Sequence, residues 1–242
     1  VCLGSSTVMF ANGGNTYNWF PTTGLTNPND SVTTVSPNST TIYTVTVSTN
    51  GLCPGTATVE IFVNPLPTIS VNSASICVGQ QTATLTANGA NTYTWSAGLS
   101  SLTGSVVTGS PALTQNYTVT GADLNGCLSS TTTTVNVNPL PVIMSSPDAT
   151  VCPLSAITLT ASGANSYTWT PNIYLNTNTA PNVICTPSVT TSYTIGATSV
   201  ASCTNSAIMT ISVINTVVVN VSPSVTICPL GSASLTASGA TT

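Results

Sequence analysis

Eight cysteines are the side chains in this 242-residue sequence whose type and spacing suggest chemistry, and that chemistry is oxidation to disulfides. Cys2, Cys77, Cys152 and Cys228 recur at steps of 75, 75 and 76 residues, and Cys53, Cys127 and Cys203 recur in a second phase. Cys185 belongs to neither phase, and Gly109 stands in its place in the preceding copy. With no His to complete a zinc site, two fixed cysteine phases favour disulfides in an oxidising compartment over metal ligation. Other reactive groups are scarce. There is no Lys, Arg or His, and the four acids Asp30, Glu60, Asp123 and Asp148 are far apart in sequence. No general acid–base pair or metal cage is therefore expected. Asn12-Gly-Gly14 lacks the strand–loop–helix context of a phosphate cradle and reads as a hairpin turn. The expectation is a protein that is not an enzyme, with no catalytic, cofactor or metal residues.

Charged residues make up 2% of the chain and the formal net charge is −4. Nucleic acid is excluded as a partner, because binding it needs cationic side chains to displace counterions. Anionic lipid is excluded for the same reason. The apolar fraction of 41% is that of a folded chain. Charge repulsion cannot keep such a surface dispersed, which leaves exposed Thr, Ser and Asn, Pro in the connections, attached glycan, or lateral association of copies into fibres. No run approaches the length of a membrane span, since Thr, Ser and Asn interrupt even the stretch 207–221.

The cysteines keep their phase because the whole chain repeats. A Tyr-x-Trp triplet (Tyr17/Trp19, Tyr93/Trp95, Tyr167/Trp169) and a Tyr-Thr dipeptide (Tyr43/Thr44, Tyr117/Thr118, Tyr193/Thr194) run in register with them. Such markers indicate a tandem array of one folding unit. The expected divisions are 1–67, a repeat lacking its first strand; 68–141; 142–215; and 216–242, the start of a further repeat. Val1 falls where Ile76 and Val151 fall in later copies, and the sequence stops short of the next expected Tyr-x-Trp. The expectation is a window onto a longer polypeptide. A subunit completed by a neighbour's strand would start in the same way, although the second copy of the Leu235-containing strand, beside Thr7–Ala11, argues against simple strand exchange.

Within repeat two, segments 68–72, 82–87, 92–95, 105–108, 116–120 and 131–137 alternate or cluster β-formers. Asn88-Gly89, Gly109-Ser110-Pro111 and Asn125-Gly126 separate them as turns. Six or seven short strands in about 75 residues, with no helical period, predict an all-β tandem array of immunoglobulin-like antiparallel β-sandwich domains. Trp19, Trp95 and Trp169, with Tyr43, Tyr117 and Tyr193, are the expected core. Asn64-Pro-Leu-Pro67 and Asn138-Pro-Leu-Pro141 read as stiff joints, whereas the joint at Asn215-Thr216 lacks proline.

Ile76-Cys-Val-Gly79, the stretch from Leu85 to Trp95, Asn116-Tyr-Thr-Val-Thr120, Asn125-Gly-Cys127 and Val137-Asn-Pro-Leu-Pro141 together carry a family resemblance. The chain resembles the Ig-like, PKD-like tandem repeats of large secreted surface proteins of Bacteroidota, such as gliding-motility adhesins and other cargo of type IX secretion. The resemblance implies export, an extracellular, cell-surface location and a stalk or adhesive role. It also points to Ser31, in Asp30-Ser31-Val32, as a possible glycosylation site of the acidic-Ser/Thr-apolar kind. Asn29, Asn38, Asn116 and Asn220 open N-x-S/T triplets, a pattern that arises by chance in so Ser/Thr-rich a chain.

Cysteine connectivity follows from topology. In an immunoglobulin-like sandwich Cys77 lies at the end from which the chain leaves the domain and Cys127 at the opposite end, a strand length of roughly 20 Å away. A disulfide needs Cα atoms within about 7 Å. The expected pairs are therefore staggered, Cys2 with Cys127 and Cys77 with Cys203, with in-phase pairing of Cys2–Cys53, Cys77–Cys127 and Cys152–Cys203 as the alternative. Cys228 has no in-phase partner here, and Cys185 is a free buried thiol or a partner for Cys152 or another chain. The expected function is a structural stalk or filament segment of an extracellular adhesin whose partners are its own neighbouring repeats. The alternatives are a module array binding surface polysaccharide, with Tyr174 and Phe20 as the out-of-phase aromatics, and a self-associating fibre subunit.

Overall fold

The computed structural model describes residues 1–214 and 218–239, so the joint at Asn215-Thr216 and the residues after 239 lie outside the described set. Every regular element in it is a strand. Repeat one contributes β1 (Thr7–Phe10), β2 (Thr16–Phe20), β3 (Val32–Val35), β4 (Thr41–Thr49) and β5 (Leu52–Ile61). Repeat two contributes β6 (Ser70–Val71), β7 (Ala74–Cys77), β8 (Ala83–Asn88), β9 (Thr92–Trp95), β10 (Val106–Gly109), β11 (Gln115–Ala122) and β12 (Leu128–Asn138). Repeat three contributes β13 (Met144–Ser145), β14 (Ala149–Val151), β15 (Ile157–Ser162), β16 (Ser166–Thr170), β17 (Asn182–Cys185), β18 (Thr191–Thr198) and β19 (Thr204–Val213). A last pair, β20 (Asn220–Val221) and β21 (Ala237–Ser238), follows. The chain forms two compact units, Val1–Val137, which holds the all-β, immunoglobulin-like sandwiches of repeats one and two, and Asn138–Thr242, which holds that of repeat three and the β20–β21 pair.

Repeat two faces a three-stranded sheet, order β10-β8-β6, with a four-stranded one, order β7-β12-β11-β9. Repeat three repeats the plan with orders β13-β15-β17 and β14-β19-β18-β16. Alternation explains the layering: along β8 the small and branched residues Ala83, Leu85 and Ala87 point inward while the intervening residues face out. Tyr117 and Val119 do the same along β11, and Trp95 fills the space between the sheets. In each of the three repeats the tryptophan is buried and its indole N–H donates to a backbone carbonyl, Trp19 to Asp30, Trp95 to Gly104 and Trp169 to Ala180. Tyr43 and Tyr193, fully buried, donate their hydroxyls to the carbonyls of Thr23 and Ile173 at 2.8 and 2.9 Å. No buried side-chain N or O atom among the described residues lacks a hydrogen-bond partner, which fits cores built from Thr, Tyr and Trp whose polar ends all find backbone.

Repeat one differs from the other two in its first sheet, which is two-stranded, β1-β3, against β2-β4-β5. The strand that β6 and β13 provide beside β8 and β15 has no counterpart along β1. A glycine marks the difference. At Gly89 and Gly163, both with left-handed backbone, an added Cβ would lie 1.9 Å from the carbonyl oxygen of Thr68 or Val142 as that first strand passes over. Gly13, at the same place after β1, also has a positive φ but meets nothing within 4 Å. Gly89→Ala should therefore cost more than Gly13→Ala, which carries only the backbone penalty of about 1 kcal/mol. Urea unfolding of the two single variants checks the order, and equal losses would show that the passing strand imposes no constraint.

Candidate functional site

The chemistry-bearing residues converge where one repeat hands over to the next. Val1–Leu3 runs parallel beside the chain leaving repeat one: Leu3 N–H donates to Asn64 O at 2.9 Å and Asn64 N–H to Val1 O at 2.8 Å, with Cys2 bridged to Asn64 between them. Cys2 is thus fixed at the start of the joint Asn64-Pro-Leu-Pro67. Directly after that joint comes repeat two, whose β11–β12 loop holds Cys127. Asp123 shapes this loop, its carboxylate accepting the N–H groups of Asn125 and Cys127 at 2.8 Å each while its own N–H donates to Cys127 O. Gly126 supplies the left-handed residue the turn requires. The result is a disulfide from Cys2 to Cys127, with Cα atoms 5.4 Å apart and 125 residues of chain between them.

The in-phase alternative is thereby excluded for Cys2 and Cys127. Cys77 and Cys203 are both buried and both disulfide-bonded. Cys77 closes β7 with its N–H on Gln81 Oε1, and Cys203 sits in a loop like that of Cys127, with Ser199 in the role of Asp123 and Ser202 in the left-handed place of Gly126. Three of the expected disulfide candidates, Cys53, Cys152 and Cys228, are instead exposed free thiols. Arithmetic explains this: a staggered order offers none of the three a partner among residues 1–242. Local sequence adds a second reason at Cys53. Thr49 stands where Asp123 and Ser199 stand, and Asn50-Gly51 closes a tight turn with positive φ at both residues, so the cysteine is drawn into β5.

Cys185 is a free thiol, wholly buried, with its Sγ 3.3 Å from Tyr193 Oη. Burial pushes its pKa up, and Tyr193 beside it is raised as well, chiefly by desolvation. It neither captures Cys152 nor faces solvent. Val35 is buried at the equivalent place in repeat one, while in repeat two Gly109 leaves room for Leu99, so Cys185 is one of three solutions to a single packing position.

The remaining expected sites are dispersed. Tyr174 occupies a left-handed position, packs against the core of repeat three and accepts a hydrogen bond from Ser188 at 2.9 Å, whereas Phe20 is exposed on β2. Ser31 is half-buried in the turn before β3, its hydroxyl 3.5 Å from Asp30 Oδ1. Asn116 lies in β11 and accepts from the Thr134 hydroxyl. Among the described residues there is no cluster of three or more His, Cys, Asp or Glu able to hold a metal, and no helix long and apolar enough to cross a membrane. A groove of about 660 Å³ lies in repeat one, between β1 and β5, and the sequence patterns do not single it out.

No family model and no curated protein matches this chain. Among solved structures it is similar to a three-domain I-band fragment of titin (I67–I69), at 13% identity and a TM-score of 0.44 over 88% of this chain and 94% of that one. It is also similar to the N-terminal eight Ig domains of Down syndrome cell adhesion molecule, at 16% identity and 0.39, spanning only 35% of that chain's length. A third is a calcium-stabilised adhesin of an Antarctic bacterium that binds ice, at 12% identity and 0.36 over 90% of this chain and 71% of that one.

The thiols should separate by reactivity. Iodoacetamide at neutral pH should alkylate Cys53, Cys152 and Cys228 in the folded protein, and Cys185 only after unfolding, since burial withholds both the sulfur and its thiolate. Mass mapping of the labelled cysteines checks this, and modification of Cys185 in the native state would contradict the packing role.

Proposed function

We propose that this chain is a structural segment of an extracellular stalk or filament, in which consecutive Ig-like repeats (1–67, 68–141, 142–215 and 216–242) are braced to one another through sulfur. The observation that carries the reading is the Cys2–Cys127 disulfide, which joins the leaving end of one repeat to the far hairpin of the next instead of closing either repeat on itself. Its loop of 125 residues corresponds to about 5 kcal/mol of loop-closure entropy removed from the unfolded chain. Cys77 and Cys203, buried, disulfide-bonded and in the corresponding positions, form the second brace of the series in this proposal. Disulfide use fits an oxidising, extracellular setting. Cell-surface attachment, adhesion, type IX export and glycosylation at Ser31 rest on the family resemblance. The absence of cationic side chains and of paired acids supports a load-bearing rather than a catalytic role. Phe20, exposed at 72%, keeps a polysaccharide-binding reading open as the secondary one.

Three sandwiches in series with stiff joints should extend over on the order of 100 Å, each adding a strand length, its loops and a joint. Small-angle scattering from the oxidised chain should give that maximum dimension, and reduction should broaden the distance distribution as the joints gain freedom. A compact globule in the oxidised state would remove the stalk reading.

A further inference from the structure

We propose that tension along this chain bypasses repeat one: the Cys2–Cys127 disulfide passes a pull from the start of repeat one straight into β12, and the sandwich in between is a reserve of length that stays closed while the bond is intact. This deepens the stalk reading and rests on it, adding the line that force follows and the chemistry that changes that line.

Connectivity sets the line. Cys2 stands in the parallel bridge to Asn64, and its sulfur is bonded to that of Cys127. Cys127 is the residue immediately before β12, which runs unbroken from Leu128 to Asn138. A pull on Val1 therefore crosses one peptide unit and one sulfur bridge and enters repeat two at the head of a strand. β1 to β5 and the joint Asn64-Pro-Leu-Pro67 lie off that line, inside the loop of 125 residues that the disulfide closes.

β12 is suited to receive the load. Its 11 residues are extended at about 3.4 Å each, close to the limit of about 3.6 Å for a taut chain, so the strand has little slack to give. It contains neither Gly nor Pro, and Thr131–Val135 is a run of β-branched residues, which favour extended backbone. β11 meets it in eight successive pairs, from Gln115 opposite Val135 to Ala122 opposite Leu128, and β7 flanks it on the other side. The attachment point is held as well. Cys127 is buried, and Asp123 accepts its N–H at 2.8 Å while donating its own N–H to Cys127 O.

Without the bond the same pull takes another route. It enters at Val1 and leaves repeat one at Asn64, loading in shear the hydrogen bonds from Leu3 N–H to Asn64 O and from Asn64 N–H to Val1 O. Parallel segments pulled at opposite ends slide past each other, so these bonds are stretched together. Once they part, the core of Met9, Trp19, Val35, Tyr43 and Val45 is what resists. Its opening frees roughly 60 residues between Cys2 and Asn64, on the order of 200 Å of extended chain.

Reduction switches one route to the other. A small-molecule thiolate attacks one sulfur and forms a mixed disulfide as the other cysteine leaves as a thiolate, and a second small thiolate then displaces the first cysteine. The protein disulfide becomes two thiols, and two small thiols become one disulfide. With the bond intact repeat one keeps its folded surface under load; with the bond reduced the segment lengthens.

The test pulls the full 242-residue chain by tags fused to its two ends in a single-molecule force instrument. The oxidised, unmodified chain should show no lengthening step from repeat one, and Val45→Ala, a substitution in that core, should leave its traces unchanged. Cys2→Ser/Cys127→Ser should add a step on the order of 200 Å, and Val45→Ala combined with that pair should move this step, and no other, to lower force. Dithiothreitol added to the unmodified chain at constant force should release at least the same length. A repeat-one step in the oxidised chain, traces of that chain that respond to Val45→Ala, or no added step in the double variant overturns the proposal. Each of these outcomes leaves the stalk reading standing, since the maximum dimension of the unloaded chain decides that.

Discussion

The Cys2–Cys127 bond is the constraint on which the account of this molecule depends. In it the Cα atoms of Cys2, held by the parallel pairing of Val1–Leu3 with Asn64, and of Cys127, held in the Asp123-built loop, stand 5.4 Å apart. The sulfur bridge is the covalent link across the junction between two ends that hydrogen bonds shape separately, one within each repeat. A chain almost without charge has no ion pairs with which to orient its repeats, and prolines in the joint stiffen it without fixing its twist. The bridge supplies that restraint.

The same lack of charge explains the chemistry of the cores. Among the described residues every buried side-chain N or O atom has a hydrogen-bond partner, and the buried tryptophans and tyrosines donate to backbone carbonyls. Tyrosine and tryptophan serve as both apolar filler and hydrogen-bond donor, which is why their spacing carries the repeat. Cys185, Val35 and Gly109 show how far a position can drift when only volume is selected: one thiol, one isopropyl group and one gap filled by Leu99.

Much of this was legible beforehand. Alternation in 82–87 and 116–120 fixed the strands, the Asn-Gly pairs fixed turns, and strand length against disulfide reach gave the pairing of Cys2 with Cys127. Less visible was the state of Cys53, Cys152 and Cys228. Their phase marks them as equals of the bridged cysteines, and only the structure shows them exposed and free. The hairpin at Thr49-Asn50-Gly51 shows the limit well. It aligns residue for residue with Asp123-Leu124-Asn125 and Ser199-Val200-Ala201, yet threonine in place of Asp or Ser loses the cap that holds the cysteine in the loop. The groove in repeat one, lined by residues of β1, β4 and β5, has no pattern of its own in the sequence.

The staggered order is the central claim, and non-reducing peptide mapping tests it most directly. Cleavage must use aromatic or acidic sites, since trypsin has no residue to cut. The account predicts recovery of Cys2 linked to Cys127 and of Cys77 linked to Cys203; recovery of Cys2 linked to Cys53, or of Cys77 linked to Cys127, would contradict it.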